Sequence, residues 1–113
     1  MIWAEARKIQ GTGPLTMQDR MALAADEAAS MLKALSNPSR LLLLCQLVDG
    51  EKSVSELEAA LDLSQAYVSQ QLARLRAEGL VAATRDGRIV RYRLADGRIG
   101  HIIQTIYEQY CPA

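Results

Sequence analysis

The spacing of apolar and polar residues predicts five helices and one β-hairpin. An apolar stripe with small residues in its middle follows Thr16, a candidate helix cap, and ends before Asn37. Asn37 can cap the next helix, and Pro38 suits the first position of that helix. Residues 41–48 are apolar nearly all round, which is typical of a central buried helix.

A short helix, a tight break and a second helix come next. The capping-box pattern Ser53-Val-Ser-Glu56 opens the short helix, and Asp62-Leu63 breaks it. Ser64 can cap the second helix, which Gly79 ends. The outward side of this helix carries short or forked side chains of the kinds that contact base edges and phosphates in a major groove. The candidate DNA-contacting residues on it are Ser64, Gln65, Ala66, Ser69, Gln70 and Arg74.

Two predicted strands follow this helix. Residues 80–85 and 88–94 flank Asp86-Gly87, the strongest short-range signal for a hairpin. The hairpin is rich in arginine, so we predict that it lies as a cationic wing along the DNA backbone. The wing residues assigned to DNA contact are Arg85, Arg88 and Arg91. The sequence therefore predicts a mainly α fold with one β-hairpin, a winged helix-turn-helix.

Charge is sorted along the chain, although the formal net charge is zero. Residues 17–63 hold four Lys or Arg against eight Asp or Glu, whereas residues 64–94 hold six against two. The cationic excess thus falls on the predicted second helix and wing, as expected of a face that binds phosphates. The alternative is an ordinary solvated helix and hairpin, which leaves the coincidence of motif, turn and charge unexplained.

The last helix is predicted to run from Asp96, its candidate cap, to Cys111-Pro112. It is rich in isoleucine and has more apolar surface than the core of so small a domain needs. We therefore expect the fold to be dimeric, with the first and last helices pairing with those of a second copy. A twofold dimer would place two DNA-contacting helices about 34 Å apart on a palindromic operator.

Composition narrows the class of protein. No run reaches the roughly 18 apolar residues of a membrane span, and the chain start lacks the pattern of a secretory signal. We expect a cytoplasmic location and no membrane partner. Residues 1–15 show no sustained periodicity and are predicted to form a flexible arm before one domain, residues 16–113. No catalytic Ser/His/Asp set, phosphate-binding Gly loop or Cys-x-x-Cys motif is present, so we expect neither an enzyme nor a cofactor.

Three stretches resemble the ArsR family of winged-helix repressors. They are residues 33–44, 63–81 and 87–94, and the similarity extends over roughly residues 17–110. The resemblance implies a homodimeric repressor of double-stranded DNA whose inducer binds far from the DNA and lowers operator affinity. The family keeps this fold and varies the position of its sensing site.

Two metal sites of that family are not expected here. The stretch that matches the arsenic-type site has Ser53 and Ser55 in place of cysteines, and hydroxyls are poor ligands for thiophilic ions. The zinc-type site needs a cluster of His and carboxylates on the last helix, where His101 is the one histidine of the chain. Asp96 and Glu108 do not complete a four-coordinate set with it, so we predict no metal site.

Cys45 and Cys111 resemble the cysteine pair of the persulfide-responsive, SqrR-like and BigR-like branch of the family. The resemblance implies a dithiol that is bridged by sulfur when persulfides or polysulfides accumulate, with release of the operator. We assign the more accessible Cys111 as first nucleophile and Cys45 as resolving thiol. Taken alone, Cys45 would be core filler, since free cysteine is a common buried residue.

Other readings of the two thiols stay open. Haem, a thiol-bound metal or general oxidants such as peroxide are alternative signals, and a winged helix used only for protein contacts is an alternative function. Both cysteines lie near predicted helix C-termini, where the helix dipole raises a thiol pKa. Their reactivity must therefore come from neighbours, and Tyr107 is the nearest candidate.

Overall fold

The structure is a computed structural model and describes residues 13–112 of the chain. It divides into two units, one ending at Ala34 and the other beginning at Leu35. The predicted arm, residues 1–15, lies largely outside the described residues. The elements in chain order are α1 (Met17–Leu35), α2 (Pro38–Gln46), β1 (Lys52–Ser53), α3 (Val54–Leu61), α4 (Gln65–Ala77), β2 (Val81–Asp86), β3 (Ile89–Leu94) and α5 (Gly97–Tyr110).

Helix α1 begins at a reciprocal cap. The Thr16 backbone N–H donates to the Asp19 carboxylate at 3.1 Å, and the Asp19 backbone N–H donates to the Thr16 hydroxyl at 3.1 Å. Two of the N–H groups that a helix start leaves unpaired are thereby satisfied, as in a capping box. The prediction that Thr16 caps this helix is confirmed.

Helix α2 is buried along one side rather than all round. Its start is as predicted, with Pro38 in the first turn and the Asn37 side-chain oxygen accepting from the Arg40 backbone N–H at 3.1 Å. Leu43 and Leu44 are fully buried, whereas Leu42 remains 51% exposed. Consecutive residues of a helix are rotated by about 100°, so a run of leucines cannot all face one core.

The predicted helix-turn-helix is formed by α3 and α4. Both halves of the capping box of α3 are present, since the Ser53 hydroxyl accepts from the Glu56 backbone N–H and the Glu56 carboxylate accepts from the Ser53 backbone N–H. Asp62 ends the helix in the left-handed conformation, at φ 54°. Ser64 then caps α4 by accepting from the Tyr67 backbone N–H at 3.2 Å.

Helix α4 ends in a Schellman motif. The Leu80 N–H donates to the Leu75 carbonyl at 2.9 Å, and the Gly79 N–H donates to the Arg76 carbonyl at 3.0 Å. This closure requires a positive φ just past the helix, and Gly79 has φ +79°. Leu75 and Leu80 are both buried, so the motif also anchors the entry to the hairpin in the core.

The core of the second unit lies where its helices meet. Helix α2 contacts α3 and α5, and α3 contacts α4. Each helix contributes apolar side chains that recur at helical spacing. The largest fully buried side chains are Leu43, Leu44, Leu57, Val68, Leu72 and Leu75.

The hairpin is as predicted, but its turn lies one residue later. Asp86, the last residue of β2, pairs with Ile89, the first residue of β3, so Gly87 and Arg88 form the two-residue loop. Gly87 has φ +64° and Arg88 does not have a positive φ, which matches a type II′ turn with glycine in first place. The predicted loop residues were Asp86 and Gly87, but Asp86 belongs to the paired part of β2 and Arg88 takes its place in the loop.

A third strand, not predicted, completes the sheet in the order β1-β3-β2. Lys52 pairs with Tyr92 and Ser53 pairs with Arg91, both antiparallel. A strand of two residues has no periodicity of its own to detect. It joins the start of α3 directly to the wing, which we define as residues 81–94.

We expect Ser53→Ala to lower the free energy of unfolding by about 1 kcal/mol, because it removes the hydroxyl that caps α3. The measurement is chemical denaturation followed by circular dichroism. Ser55→Ala is the matched control, since Ser55 is exposed in the first turn of the same helix and should change stability by less than about 0.5 kcal/mol. Equal losses in both variants would contradict the role of the cap.

Candidate functional site

Helix α4 separates a buried face from a polar face. Its apolar residues Val68, Leu72 and Leu75 are fully buried. Most of the residues predicted to contact DNA lie on the exposed side, and Ser69 is half-buried at its edge. The exposed ones are Ser64, Gln65, Ala66, Gln70 and Arg74. The helix therefore presents a mainly polar face to solvent, with Ala66 as a small apolar residue within it.

The arginines of the wing do not share one face. Arg85 pairs with Val90 and Arg91 pairs with Thr84, and because neighbouring strand residues point to opposite sides, Arg85 and Arg91 lie on opposite faces of the sheet. Arg88 lies in the turn. Arg85 and Arg88 are exposed, and neither side chain makes a hydrogen bond or ion pair within the part of the chain that the structure describes.

Arg91 is held by a carboxylate that sequence reasoning did not connect with it. Its Nη1 lies 3.1 Å from Oε1 of Glu56, the residue that also completes the cap of α3. Hydrogen bonds from Ser53, first from its backbone N–H and then from its hydroxyl, lower the pKa of Glu56, and the Arg91 charge lowers that pKa further. The carboxylate thus ties the wing to the helix-turn-helix.

Two other arginines are also engaged. Arg74 Nε lies 3.7 Å from Oε1 of Glu78 one turn later on α4, and Arg93 Nη1 donates to Thr84 Oγ1 at 2.6 Å. Both contacts are exposed and can exchange for a phosphate oxygen, since surface ion pairs are weak. Within the described residues, the unengaged arginines of the wing are therefore those at its tip, Arg85 and Arg88.

The two predicted sensor cysteines lie at the ends of two helices that contact each other, α2 and α5. Cys45 lies half-buried in the last turn of α2, and Cys111, exposed, is the C-cap of α5. Burial raises the pKa of the Cys45 thiol, and the charge of a Cys111 thiolate raises that pKa further. The two side chains are thus near enough to interact electrostatically, and both are free thiols.

A cavity opens beside Cys45, between the C-terminal end of α2 and the C-terminal half of α5. Its volume is about 380 Å³. Val48 and Ile103 supply apolar walls, and the remaining lining residues are Asp49, Gln104 and Tyr107. Sequence reasoning missed this cavity, because only the contact of α2 with α5 brings its two walls together.

Two of the residues weighed as metal ligands, Ser53 and Asp96, have other roles. Ser53 caps α3, and the Asp96 carboxylate caps α5 and pairs with Arg98, whose Nη2 lies 3.1 Å away. Hydrogen bonds from the Arg98 side chain are the main cause of the lowered pKa of Asp96. Within residues 13–112, no group of three or more His, Cys, Asp or Glu could hold a metal ion.

Over the described residues, no helix has the length and apolar character to cross a membrane.

A helix-turn-helix with a polar exposed face, followed by a cationic hairpin, defines a winged helix-turn-helix of the kind that binds DNA. The sequence profile described as "Bacterial regulatory protein, arsR family" matches residues 37–83. The chain belongs to this family of DNA-binding transcriptional regulators.

Individual relatives agree with this assignment over most of the chain. The biofilm growth-associated repressor of Agrobacterium fabrum is 45% identical over 87 residues, which are 77% of this chain and 74% of the relative. The crystal structure of the transcriptional repressor BigR from Xylella fastidiosa has a TM-score of 0.81 and 38% identity, and the match covers 87% of this chain and 100% of that one.

A further solved relative is dimeric. The homodimeric winged helix-turn-helix DNA-binding domain of Mb0332 from Mycobacterium bovis has a TM-score of 0.71 and 30% identity, over 89% of both chains. The winged helix-turn-helix fold is thus confirmed, and the resemblance to BigR-like repressors is shared by sequence and structure.

We expect Cys111 to be alkylated faster than Cys45 at neutral pH, because burial and the neighbouring charge raise the pKa of Cys45 and lower its thiolate fraction. The difference should narrow as pH rises through that raised pKa. Peptide mass spectrometry after timed iodoacetamide treatment measures both rates. Cys111→Ser removes the neighbouring charge and should speed alkylation of Cys45 at a given pH. Faster reaction of Cys45 in the parent would contradict this order.

Arg88 and Arg91 should differ in their effect on DNA affinity. Arg88→Met should lower the salt slope of binding to any duplex by about one, because an unengaged cation that meets a phosphate releases a counterion. Arg91→Met should lower the slope less, because Glu56 already holds that guanidinium. Fluorescence anisotropy across a salt series measures both slopes. Gln70→Ala is the contrast, because losing a neutral side chain should leave the slope unchanged; equal slopes for both arginine variants would refute the distinction.

Proposed function

We propose that the protein is a homodimeric repressor that releases operator DNA when persulfide or polysulfide sulfur bridges Cys45 and Cys111. The observation that carries this proposal is the contact between α2 and α5, because Cys45 lies in the last turn of one helix and Cys111 caps the end of the other. Packing alone gives no reason for two free cysteines from distant parts of the sequence to lie near each other. Their reactivity explains the arrangement better.

Repression is supported by the relatives, and DNA contact by the geometry of α4 and the wing. BigR and the Agrobacterium protein are both named as repressors. The polar side of α4 supplies Gln65 and Gln70, whose amides can make paired hydrogen bonds to adenine in a major groove. Arg85 and Arg88 at the wing would supply phosphate contacts, and Arg74 would exchange its carboxylate partner for phosphate. Arg91 would contribute less, because Glu56 holds its guanidinium.

A dimer is supported by apolar side chains that the described chain leaves exposed on α1 and on α5. Met21 and Leu32 of α1 are 44% and 59% exposed, and Tyr107 and Tyr110 of α5 are 59% and 83% exposed. A twofold interface built from these helices would bury them, and the Mycobacterium bovis relative is homodimeric. Two copies of α4 would then meet successive major grooves of a palindromic operator.

The chemistry proceeds by two displacement steps at sulfur. The Cys111 thiolate attacks the outer sulfur of a persulfide R–S–SH, the S–S bond of the persulfide breaks, and R–S⁻ leaves. The Cys45 thiolate then attacks Sγ of the Cys111 persulfide and expels HS⁻, which closes a disulfide. The two protein thiols lose two electrons together, and the transferred sulfur gains them as sulfide. Protons from the two thiols end on R–SH and H₂S.

The same steps produce longer bridges. If Cys45 has also received an outer sulfur, its persulfide anion attacks Sγ of the Cys111 persulfide, and HS⁻ leaves from a bridge of three sulfurs. Each inserted sulfur extends the reach between the cysteines by up to about 2 Å relative to a plain disulfide. The spacing of the two helix ends therefore selects the bridge length, and through it the oxidant.

The bridge acts on DNA binding through the elements that it joins. It ties the end of α2, a helix in contact with α3 of the helix-turn-helix, to the end of α5 at the proposed dimer interface. Operator binding needs both copies of α4 in register. A coupling free energy of about 1–3 kcal/mol, typical of allosteric regulators, lowers operator affinity by about 5- to 150-fold.

We expect Cys45→Ser and Cys111→Ser each to bind operator DNA like the reduced parent, because serine has nearly the volume of cysteine. Neither variant should release DNA when a persulfide donor is added, whereas the parent should. Gel-shift titration before and after treatment, with mass spectrometry of the bridge, measures both effects. Release of the Cys111→Ser variant by persulfide would refute the dithiol mechanism, and equal release of the parent by peroxide would show that spacing does not select the bridge.

A further inference from the structure

The cavity beside Cys45 is larger than the proposed sulfur chemistry needs. A hydrodisulfide ion would occupy a small part of its volume of about 380 Å³. That volume lies at the lower end of the range of about 300–1,000 Å³ that is typical of small-molecule sites. The cavity therefore has room for the organic group that carries the reactive sulfur, beyond the sulfur atoms themselves.

The lining of the cavity favours one charge in its ligand. Asp49 is the one charged residue that lines it, and the carboxylate is exposed and makes no hydrogen bond or ion pair within residues 13–112. It lies just past the C-terminal end of α2, where the helix dipole adds further negative potential. Both charges attract a cation. An anionic ligand would be repelled by the same groups.

The other lining residues complete a site for a short aliphatic chain. Val48 and Ile103 offer apolar contact to methylene groups. Gln104 and Tyr107 carry an amide and a phenol, which can hydrogen-bond to neutral polar groups of a ligand. Within the described residues Cys111 does not line the cavity, but it follows the lining residue Tyr107 by one helical turn, and its backbone N–H donates to the Tyr107 carbonyl at 2.9 Å.

We propose that this cavity binds the carrier of the inducer, an ammonium-bearing aminothiol persulfide, with its ammonium group against Asp49 and its terminal sulfur at the two thiols. The inference rests on the proposed persulfide function and deepens it, since it names the class of donor. In the first step the Cys111 thiolate takes the outer sulfur, the S–S bond of the donor breaks, and the aminothiol leaves as R–S⁻ and takes up a proton. The ammonium group keeps its protons throughout.

The test compares three donors that share a two-carbon chain and differ in charge. They are the persulfides of cysteamine, 2-mercaptoethanol and 3-mercaptopropionate, which carry an ammonium, a hydroxyl and a carboxylate. The rate of bridging is measured by mass spectrometry on the full-length protein at donor concentrations below saturation. Each rate is divided by the rate of the same donor with N-acetylcysteine amide, a thiol without a carboxylate, which removes the difference in intrinsic reactivity.

We expect the ammonium donor to react with the parent at least about fivefold faster than the carboxylate donor, since one pair of unit charges at contact distance in water has that effect. Asp49→Asn should reduce the ratio toward one, and Asp49→Lys should reverse the order. Both variants should fold, because the residue is exposed and a carboxylate at a helix C-terminus is unfavourable to begin with. Circular dichroism checks this.

Glu51→Gln is the matched control, because Glu51 is an exposed carboxylate two residues further on that does not line the cavity. It should keep the parent's donor order. An equal change in Glu51→Gln and Asp49→Asn would overturn the site in favour of general surface charge. Unchanged ratios in both Asp49 variants would overturn the inference while the proposed function stands. Failure of every donor to bridge the parent would overturn the proposed function itself.

Discussion

The burial of one side of α2 is the contact on which the rest of the second unit depends. Leu43 and Leu44 are fully buried there, and through this helix the helix-turn-helix and α5 share one core. Each large aliphatic side chain buried in this way contributes about 1.5–3 kcal/mol, whereas surface ion pairs contribute about 1 kcal/mol or less. Apolar packing therefore sets the positions of α4 with the wing and of the region around Cys45. The surface charges of both regions contribute less to the stability of the fold.

Local hydrogen bonds then decide where each helix of the DNA-binding half starts and stops. The caps at Ser53 and Ser64 and the Schellman closure at Gly79 fix the length of α3 and α4 and the direction in which the chain leaves them. One of these caps also has a long-range role. Glu56 completes the cap of α3 and holds Arg91 of the wing, so a single carboxylate orients two elements that approach DNA together.

The tip of the wing and the cavity beside Cys45 carry charges of opposite sign. The wing concentrates cations at its tip, where Arg85 and Arg88 are unengaged within the described residues and suit a polyanion. Cys45 lines a cavity together with Asp49, whose carboxylate makes no hydrogen bond or ion pair within residues 13–112, and burial disfavours the charged form of Cys45. A thiolate at Cys45 therefore forms less readily than in water, whereas Cys111 is exposed.

The sequence by itself determined the order of the five helices and the hairpin, and the two faces of α4, because caps, helical periodicity and glycine breaks act between residues close in the chain. Its resemblance to the persulfide-responsive branch also singled out Cys45 and Cys111 as candidate sensor residues. Only the tertiary structure decided what lies next to what: Leu42 faces solvent, Arg91 meets Glu56, and Asp49 joins Gln104 around a cavity beside Cys45. Such contacts depend on the rotation and approach of packed helices and strands, and no periodicity along the chain encodes them. The turn of the wing lies one residue later than predicted for a similar reason, because pairing across the sheet sets the register of the strands.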